Sequence, residues 1–341
     1  MTGLISLLAS ERRKLALAEL LAISFMGFIA LLARTTGVSL FLFPELAALA
    51  HDVLARPRGK WASQPLRLIA TPVLTATAGL FVTRHLPYGA LSLLLIVIVS
   101  LAVIRLLRSA IGPAISAGLL PLVVGERHWL YPAAIAGGLV SLSVILWLWK
   151  RWVPHAAEAE NSAEEWLIDD TLETPAHDRF WLLHLLGLVA VLGVAGQLTG
   201  LRFLLFPPLV VMAYELFGHP ELPGWIERPA FFPLVCFLTA LTGLLDLHAL
   251  GNTMLSVVLT VAASIVLLRL FRMHMPPALA VGLLPFVSPS PTFWYPISVA
   301  IGTMVLSVWF ALRCRGNGPS RPALLRAIGA RPASSLRIRA L

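Results

Sequence analysis

The chain of 341 residues is 58% apolar and only 13% charged, whereas an average soluble domain is about 25% charged. Apolar runs long enough to cross about 30 Å of hydrocarbon recur along it, which excludes an ordinary soluble domain. A net charge of +9 would favour nucleic-acid binding in a soluble protein, but here it indicates a basic cytoplasmic side in contact with anionic lipid. We therefore predict an all-α polytopic membrane protein that binds no nucleic acid.

The first predicted element is an apolar helix over 15–33, which directly follows a charged group at 11–14. This run is long for the apolar core of a signal peptide, and no small-residue cleavage site follows it. We expect it to remain in the protein as a first membrane helix.

Six apolar segments are predicted in each half of the chain. They lie at 15–33, 38–54, 66–83, 88–104, 111–124 and 129–149, and then at 181–199, 203–217, 230–248, 252–268, 275–288 and 294–312. The second and fifth segment of each set are short and have Pro or Gly inside or beside them. We expect these four segments to be tilted, broken or re-entrant.

The two halves resemble each other at an offset of 164 residues, or 163 before a one-residue insertion. Several residue types recur in register, as in Arg105/Arg269, Arg108/Arg272, Pro113/Pro277, Tyr131/Tyr295 and Trp61/Trp225. Shared hydrophobicity alone would not keep such different residues in register, so the pattern indicates two homologous repeats. We predict a first transmembrane repeat at 1–150, an acidic cytoplasmic linker at 151–180, a second repeat at 181–312 and a basic, disordered tail at 313–341.

The distribution of Lys and Arg favours twelve crossings with both termini in the cytoplasm. In that arrangement only four of the 26 basic residues lie outside, namely Arg34, Arg84, Arg127 and Arg202. Six crossings per half would relate the repeats by an axis along the membrane normal. We expect an integral protein of the bacterial inner (plasma) membrane, with a homo-oligomer as one possible assembly.

The sequences "RSAIGPAISAGLLP" at 108–121 and "RMHMPPALAVGLLP" at 272–285 place prolines shortly after arginines. Proline suits the first turn of a helix, and a helix N-terminus has free N–H groups that favour an anion. The candidate substrate-binding residues are Arg105, Arg108, Pro113, Arg269, Arg272, His274, Pro276 and Pro277. The alternative is that the arginines only anchor the topology at the cytoplasmic surface and the prolines only end a helix.

Three acidic residues, Glu45, Asp52 and Glu215, lie in or beside apolar runs. Ionisable side chains inside a membrane are often functional, so these three are candidates for proton or ion coupling; alternatively, they lie at segment ends and face water. The sequence has no Cys/His metal spacing and no HExxH or GxSxG motif. We therefore predict no metal, no other cofactor and no enzyme activity.

The segment 272–285, "LLFPPL" at 204–209 and "ERPAFFPLVCFLTALTG" at 227–243 resemble, in this order, the HPP family of integral membrane proteins. That family is named for a His-Pro-Pro motif, and the resemblance covers most of 181–312 and, through the repeat, 20–150. The chain departs from the family at the motif itself, because Met275 stands where the family has His. The first half has Gly112-Pro113 at the matching positions.

Members of the HPP family have been linked to nitrite transport. The resemblance therefore implies a transporter or channel for a small solute, and specifically a monovalent anion such as nitrite. The alternative is a non-transporting membrane scaffold or sensor subunit, which the acidic linker and basic tail would suit. The chain has no ATP-binding Gly-rich loop, so we expect passive or ion-coupled movement.

Overall fold

The computed structural model describes residues 2–152, 180–218 and 231–317, and within these ranges it is built of helices without strands. The α-helices are α1 (Thr2–Thr36), α2 (Glu45–Ala55), α3 (Pro65–His85), α4 (Ala90–Leu106), α5 (Ala114–Val124), α6 (Leu130–Trp152), α7 (Trp181–Thr199), α8 (Pro207–Gly218), α9 (Phe231–Leu250), α10 (Met254–Leu270), α11 (Pro277–Val287) and α12 (Trp294–Asn317). The predicted all-α class is confirmed. The predicted acidic linker and basic tail lie almost entirely outside the described residues.

Six of these helices contain stretches long and apolar enough to cross a membrane. They are Arg13–Thr36, Pro65–His85, Leu130–Trp152, Trp181–Thr199, Phe231–Leu250 and Trp294–Arg313. Large apolar side chains point outward from them, such as Phe81, Trp147 and Leu183, which are all more than half exposed. A surface of this kind is unfavourable in water and favourable in lipid, so the prediction of an integral membrane protein is confirmed in this form.

Four helices, α2, α5, α8 and α11, have only 11 or 12 residues. At 1.5 Å per residue each is about 17 Å long, roughly half the hydrocarbon thickness. All ten residues at 45–54, 114–123 and 277–286 are buried. Helices buried on every face lie in the interior of the bundle, so the eight longer helices surround these four.

The contacts of the short helices run between the two halves of the chain. In addition to neighbours from its own half, α2 packs against α11, and α5 packs against α8. Among the longer helices, α1 packs against α10, and α4 packs against α7. The contact of α2 with α11 therefore corresponds to that of α8 with α5, and the contact of α1 with α10 corresponds to that of α7 with α4.

Glycines allow the short helices α5 and α11 to approach their neighbours closely. A Cβ atom at Gly79 of α3 would collide with the backbone of Gly118 in α5, and one at Gly243 of α9 would collide with the backbone of Gly282 in α11. Small residues permit such approaches between helices in lipid. The hydroxyl of Thr75 adds a hydrogen bond across the first contact, donating to the carbonyl of Ala114 at 2.6 Å.

Proline inside a short helix removes one hydrogen bond, and a tyrosine replaces it. Pro121 of α5 has no N–H to donate to the carbonyl of Ala117, four residues earlier. The hydroxyl of Tyr131, in the first turn of α6, donates to this oxygen at 2.7 Å. A backbone carbonyl away from water must find such a partner.

The second half has the same arrangement. Pro285 of α11 leaves the carbonyl of Val281 without its helical donor, and the hydroxyl of Tyr295 in α12 donates to that oxygen. The sequence Gly-Leu-Leu-Pro recurs at 118–121 and 282–285, and Tyr-Pro recurs at 131–132 and 295–296. The two patterns are therefore parts of one local structure.

Candidate functional site

The four arginines predicted near the helix starts are exposed, at the ends of α4 and α10. Arg105 and Arg269 lie in the last turns of these helices, and Arg108 and Arg272 lie just beyond them. Arg269 is paired with Glu19 of α1, to which its Nε donates at 3.1 Å. These guanidinium groups therefore lie at the turns that lead into α5 and α11 and outside the interior of the bundle.

The backbone at Arg108 and Arg272 is left-handed, with φ angles of 48° and 52°. The amide of Arg108 donates to Arg105, and the next amide donates to Ile104, which is the Schellman pattern that usually has glycine at this position. A side chain in this conformation costs about 1–2 kcal/mol. Arginine at both strained positions points to a use for the guanidinium group.

The prolines begin the short helices as predicted. Pro113 caps α5, Pro276 caps α11, and Pro277 is the first residue of α11. Pro113 and Pro277 are buried, whereas His274, in the turn before α11, is exposed. The predicted substrate-binding residues are thus divided into two groups. The Arg and His side chains form an exposed basic surface, which we call the mouth, whereas Pro113 and Pro277 are buried and Pro276 is partly buried.

Two of the predicted acidic candidates have different surroundings. Asp52 is buried in α2 and accepts from Nε of Arg56 at 3.1 Å, so its charge is matched by an arginine on the same helix. Glu215 of α8 is only partly buried. A Cβ atom placed on Gly112, just before α5, would lie 3.8 Å from Oε1 of Glu215. The carboxyl group of Glu215 therefore lies near the start of α5.

Glu45 is the first residue of α2 and is only 2% exposed. Its Oε1 accepts a hydrogen bond from the hydroxyl of Ser116 in the first turn of α5. Its Oε2 has no hydrogen-bond partner among the described residues. Burial of an unpartnered polar atom is costly and needs an explanation, whereas the helix N-terminus favours the negative charge.

Glu45 lies where three short helices meet. Tyr131 and Tyr295 both lie within electrostatic reach of its carboxyl group. The hydroxyls of these tyrosines are bonded to α5 and α11 respectively, and α11 packs directly against α2. We call Glu45, Ser116, Tyr131 and Tyr295 the central polar cluster. Polar groups from α2, α5, α6 and α12 lie near one another there in the interior of the bundle.

A second polar group lies towards the other end of α2. Nε2 of His51 is 3.7 Å from Oε1 of Glu19, the carboxylate that also pairs with Arg269. Nδ1 of His51 is buried without a hydrogen-bond partner among the described residues. This group ties α1 and α2 to α10, and it lies about 9 Å along α2 from Glu45, since six residues separate the two positions.

The sequence interpretation missed Ser116, Tyr131, Tyr295, Glu19 and His51 as site residues. The recurrence of the Tyr-Pro pairs was a signal for the tyrosines, because a tyrosine fixed in register beside an interior proline is a candidate partner for the freed carbonyl. Ser116 gave no such signal, since serine is common in apolar helices.

An open groove of about 640 Å³ lies between α7 and α12, apart from the central polar cluster. Its walls include Met304, Val308 and Leu312, which are more than half exposed. Arg313 lines one part of it and donates to the carbonyl of Phe217 at 3.0 Å. Apolar walls that open outward suit a lipid chain better than a small anion, so we do not assign the solute site to this groove.

Within the described ranges, no three His, Cys, Asp or Glu side chains are grouped so that they could hold a metal ion. The chain matches no family model, no curated protein and no solved structure. The resemblance to the HPP family therefore stays a prediction, and the class that the fold defines is a helical membrane protein with four buried short helices.

Proposed function

We propose that the protein is a membrane transporter or channel for a small monovalent anion such as nitrite. The observation that carries the proposal is the set of four buried short helices, each of which begins at or directly after a proline. Transporters commonly build solute sites from broken helices, whose N-termini face anionic groups. The central polar cluster brings carboxyl and hydroxyl groups into this interior, and this supports binding of a polar solute there.

Duplication of one ancestral unit accounts for the pairs of matching local structures. These pairs, each 164 residues apart, are the left-handed arginines Arg108 and Arg272, the close glycine contacts at Gly79 and Gly243, and the tyrosines Tyr131 and Tyr295. The exchanged contacts of α2 with α11 and of α5 with α8 fit the same origin. Solute sites of duplicated transporters lie at the interface between repeats, and here the short helices form the interior part of that interface.

A route for the anion follows from the charges. The exposed guanidinium groups of Arg105, Arg108, Arg269 and Arg272 raise the local concentration of anions at the mouth. The N-termini of α5 and α11 come next, and the central polar cluster lies beyond them. With these ends of α4 and α10 in the cytoplasm, both chain termini are cytoplasmic, and the basic surface faces anionic lipid.

The test is uptake of nitrite, nitrate, chloride and formate into liposomes that contain the purified full chain, at two pH values. We expect saturable uptake that is selective for nitrite. The variants Arg108→Ala and Arg272→Ala should lower it, because they remove charge from the mouth, whereas Arg34→Ala changes an exposed arginine elsewhere and should leave it unchanged. If the wild-type chain moves none of these anions, the proposal is wrong and a scaffold or sensor subunit becomes the better assignment.

A further inference from the structure

The carboxyl group of Glu45 resembles the proposed solute. A carboxylate, nitrite and formate are all planar and monovalent, and each has two oxygens on one central atom. Oε1 of Glu45 accepts from Ser116 in the first turn of α5, and Oε2 has no hydrogen-bond partner in the part of the chain that the structure describes. The carboxylate therefore makes, at the start of a short helix, the kind of contact that a small oxyanion would make there.

The fold does not need a carboxyl group at this place. The repeat pairs Glu45 with Pro208 and Ser116 with Ala280, so both polar partners are missing from the corresponding place in the second half. The helices α8 and α11 nevertheless pack there with fully buried Pro208 and Ala280. The corresponding place in the second half is therefore buried and packed without a carboxyl group or a serine hydroxyl.

We propose, on the basis of the transport function inferred above, that the Glu45 carboxylate occupies the binding site of the transported oxyanion. An oxyanion and the ionised carboxylate repel each other and compete for the hydroxyl of Ser116. When a proton from water binds to the carboxylate, an O–H bond forms and the negative charge is lost. The neutral side chain no longer repels nitrite or formate, which can then take its place at the binding site. Anion movement is therefore coupled to protonation of Glu45.

The groups that face Glu45 do not neutralise it. From α6 and α12, Tyr131 and Tyr295 approach it, but both hydroxyls donate to backbone carbonyls. Behind Tyr295, α9 contributes a buried thiol, Cys236. Among the described residues, the other charged groups of α2 are His51 and Asp52, which lie about two turns away and face Glu19 and Arg56. Lys150 of α6, which also packs against α2, donates to the carbonyl of Ala62 beyond the far end of α2, and Glu126 acts on Tyr131 from the loop before α6.

The test is nitrite, formate and chloride uptake into liposomes holding the full chain, with a pH-sensitive dye inside and protein-free liposomes subtracted. For the wild type we expect nitrite and formate uptake to rise on acidification, by at most about tenfold per pH unit, since the protonated fraction of a single carboxyl group cannot rise more steeply than that. Protons should enter with the anion. In Glu45→Gln, uptake should be independent of pH and should carry no protons.

Two further variants distinguish the outcomes. Ser116→Ala, which copies Ala280 of the second half, removes the hydroxyl that both the carboxylate and the anion use. The maximal uptake should therefore fall, while uptake should begin at a higher pH because the ionised carboxylate has lost its donor. Asp246→Asn changes a helix carboxyl that already accepts from Thr260 at 2.7 Å and should keep the wild-type pH response. An unchanged pH response and unchanged proton entry in both Glu45→Gln and Ser116→Ala would overturn this inference, whereas lack of anion uptake by the wild type would overturn the transport function itself.

Discussion

Tyr131 donates its hydroxyl to the carbonyl of Ala117, the oxygen that Pro121 deprives of its helical partner. The bond joins α6 to α5 across a loop of five residues. The bond therefore gives the freed carbonyl of Ala117 a donor and also fixes the distance between α5 and α6. The matching bond from Tyr295 to Val281 does the same for α12 and α11.

We expect Tyr131→Phe to lower the free energy of unfolding by about 1–3 kcal/mol, because it leaves a buried carbonyl without a donor. The cost should shrink in a Pro121→Ala background, where the alanine N–H supplies the missing helical bond. Thermal unfolding of the wild type, Tyr131→Phe, Pro121→Ala and the double variant in one detergent gives the double-mutant cycle. Equal costs of Tyr131→Phe in the two backgrounds would show that the hydroxyl does not serve the carbonyl freed by the proline.

Gly79→Ala and Gly243→Ala should each cost about 3 kcal/mol or more, because the new methyl group meets backbone that cannot move aside cheaply. The matched control is Gly137→Ala in α6, where the new Cβ would be 3.5 Å from the ring of Phe41, an ordinary contact. Melting temperatures of the purified variants test the difference. A control variant as unstable as Gly79→Ala would contradict the close approach of α3 to α5.

The sequence predicts much of this fold because apolar length and proline position carry the information. The starts of α5 and α11 follow from Pro113 and Pro276-Pro277, and the long helices follow from uninterrupted apolar runs. The central position of α2, α5, α8 and α11 could not be predicted. A helix buried on all faces has no amphipathic pattern, so its sequence does not say which side faces a neighbour.

The candidate site was only partly predictable for a related reason. Glu45 could be selected, because an ionisable residue in an apolar run is unusual. Its contact with Ser116 joins residues 71 positions apart in the chain, and no spacing rule reaches that far. The sequence left two roles open for Arg108 and Arg272, solute binding and anchoring at the cytoplasmic surface. Their side chains are exposed, and charge and spacing alone do not decide between the two roles.

The pair formed by Asp52 and Arg56 should behave as a unit. Asp52→Asn leaves a buried guanidinium group without its carboxylate, and we expect a loss of about 3–5 kcal/mol in the free energy of unfolding. The double variant Asp52→Asn/Arg56→Met should cost less than the sum of the two single variants, because it leaves no buried charge without its partner. Denaturant unfolding of the two single variants and the double variant tests this. Simple additivity would contradict a coupled pair.

Arg108→Gly separates the backbone role of this residue from the role of its charge. Glycine relieves the left-handed strain, so we expect the protein to gain about 1–2 kcal/mol in stability. Anion uptake should nevertheless fall as far as in Arg108→Ala, because both variants lack the guanidinium group at the mouth. Arg108→Lys keeps a positive charge and the strained backbone, and it should retain more uptake than either. Unaltered uptake by a stabilised Arg108→Gly would assign the arginine to topology alone.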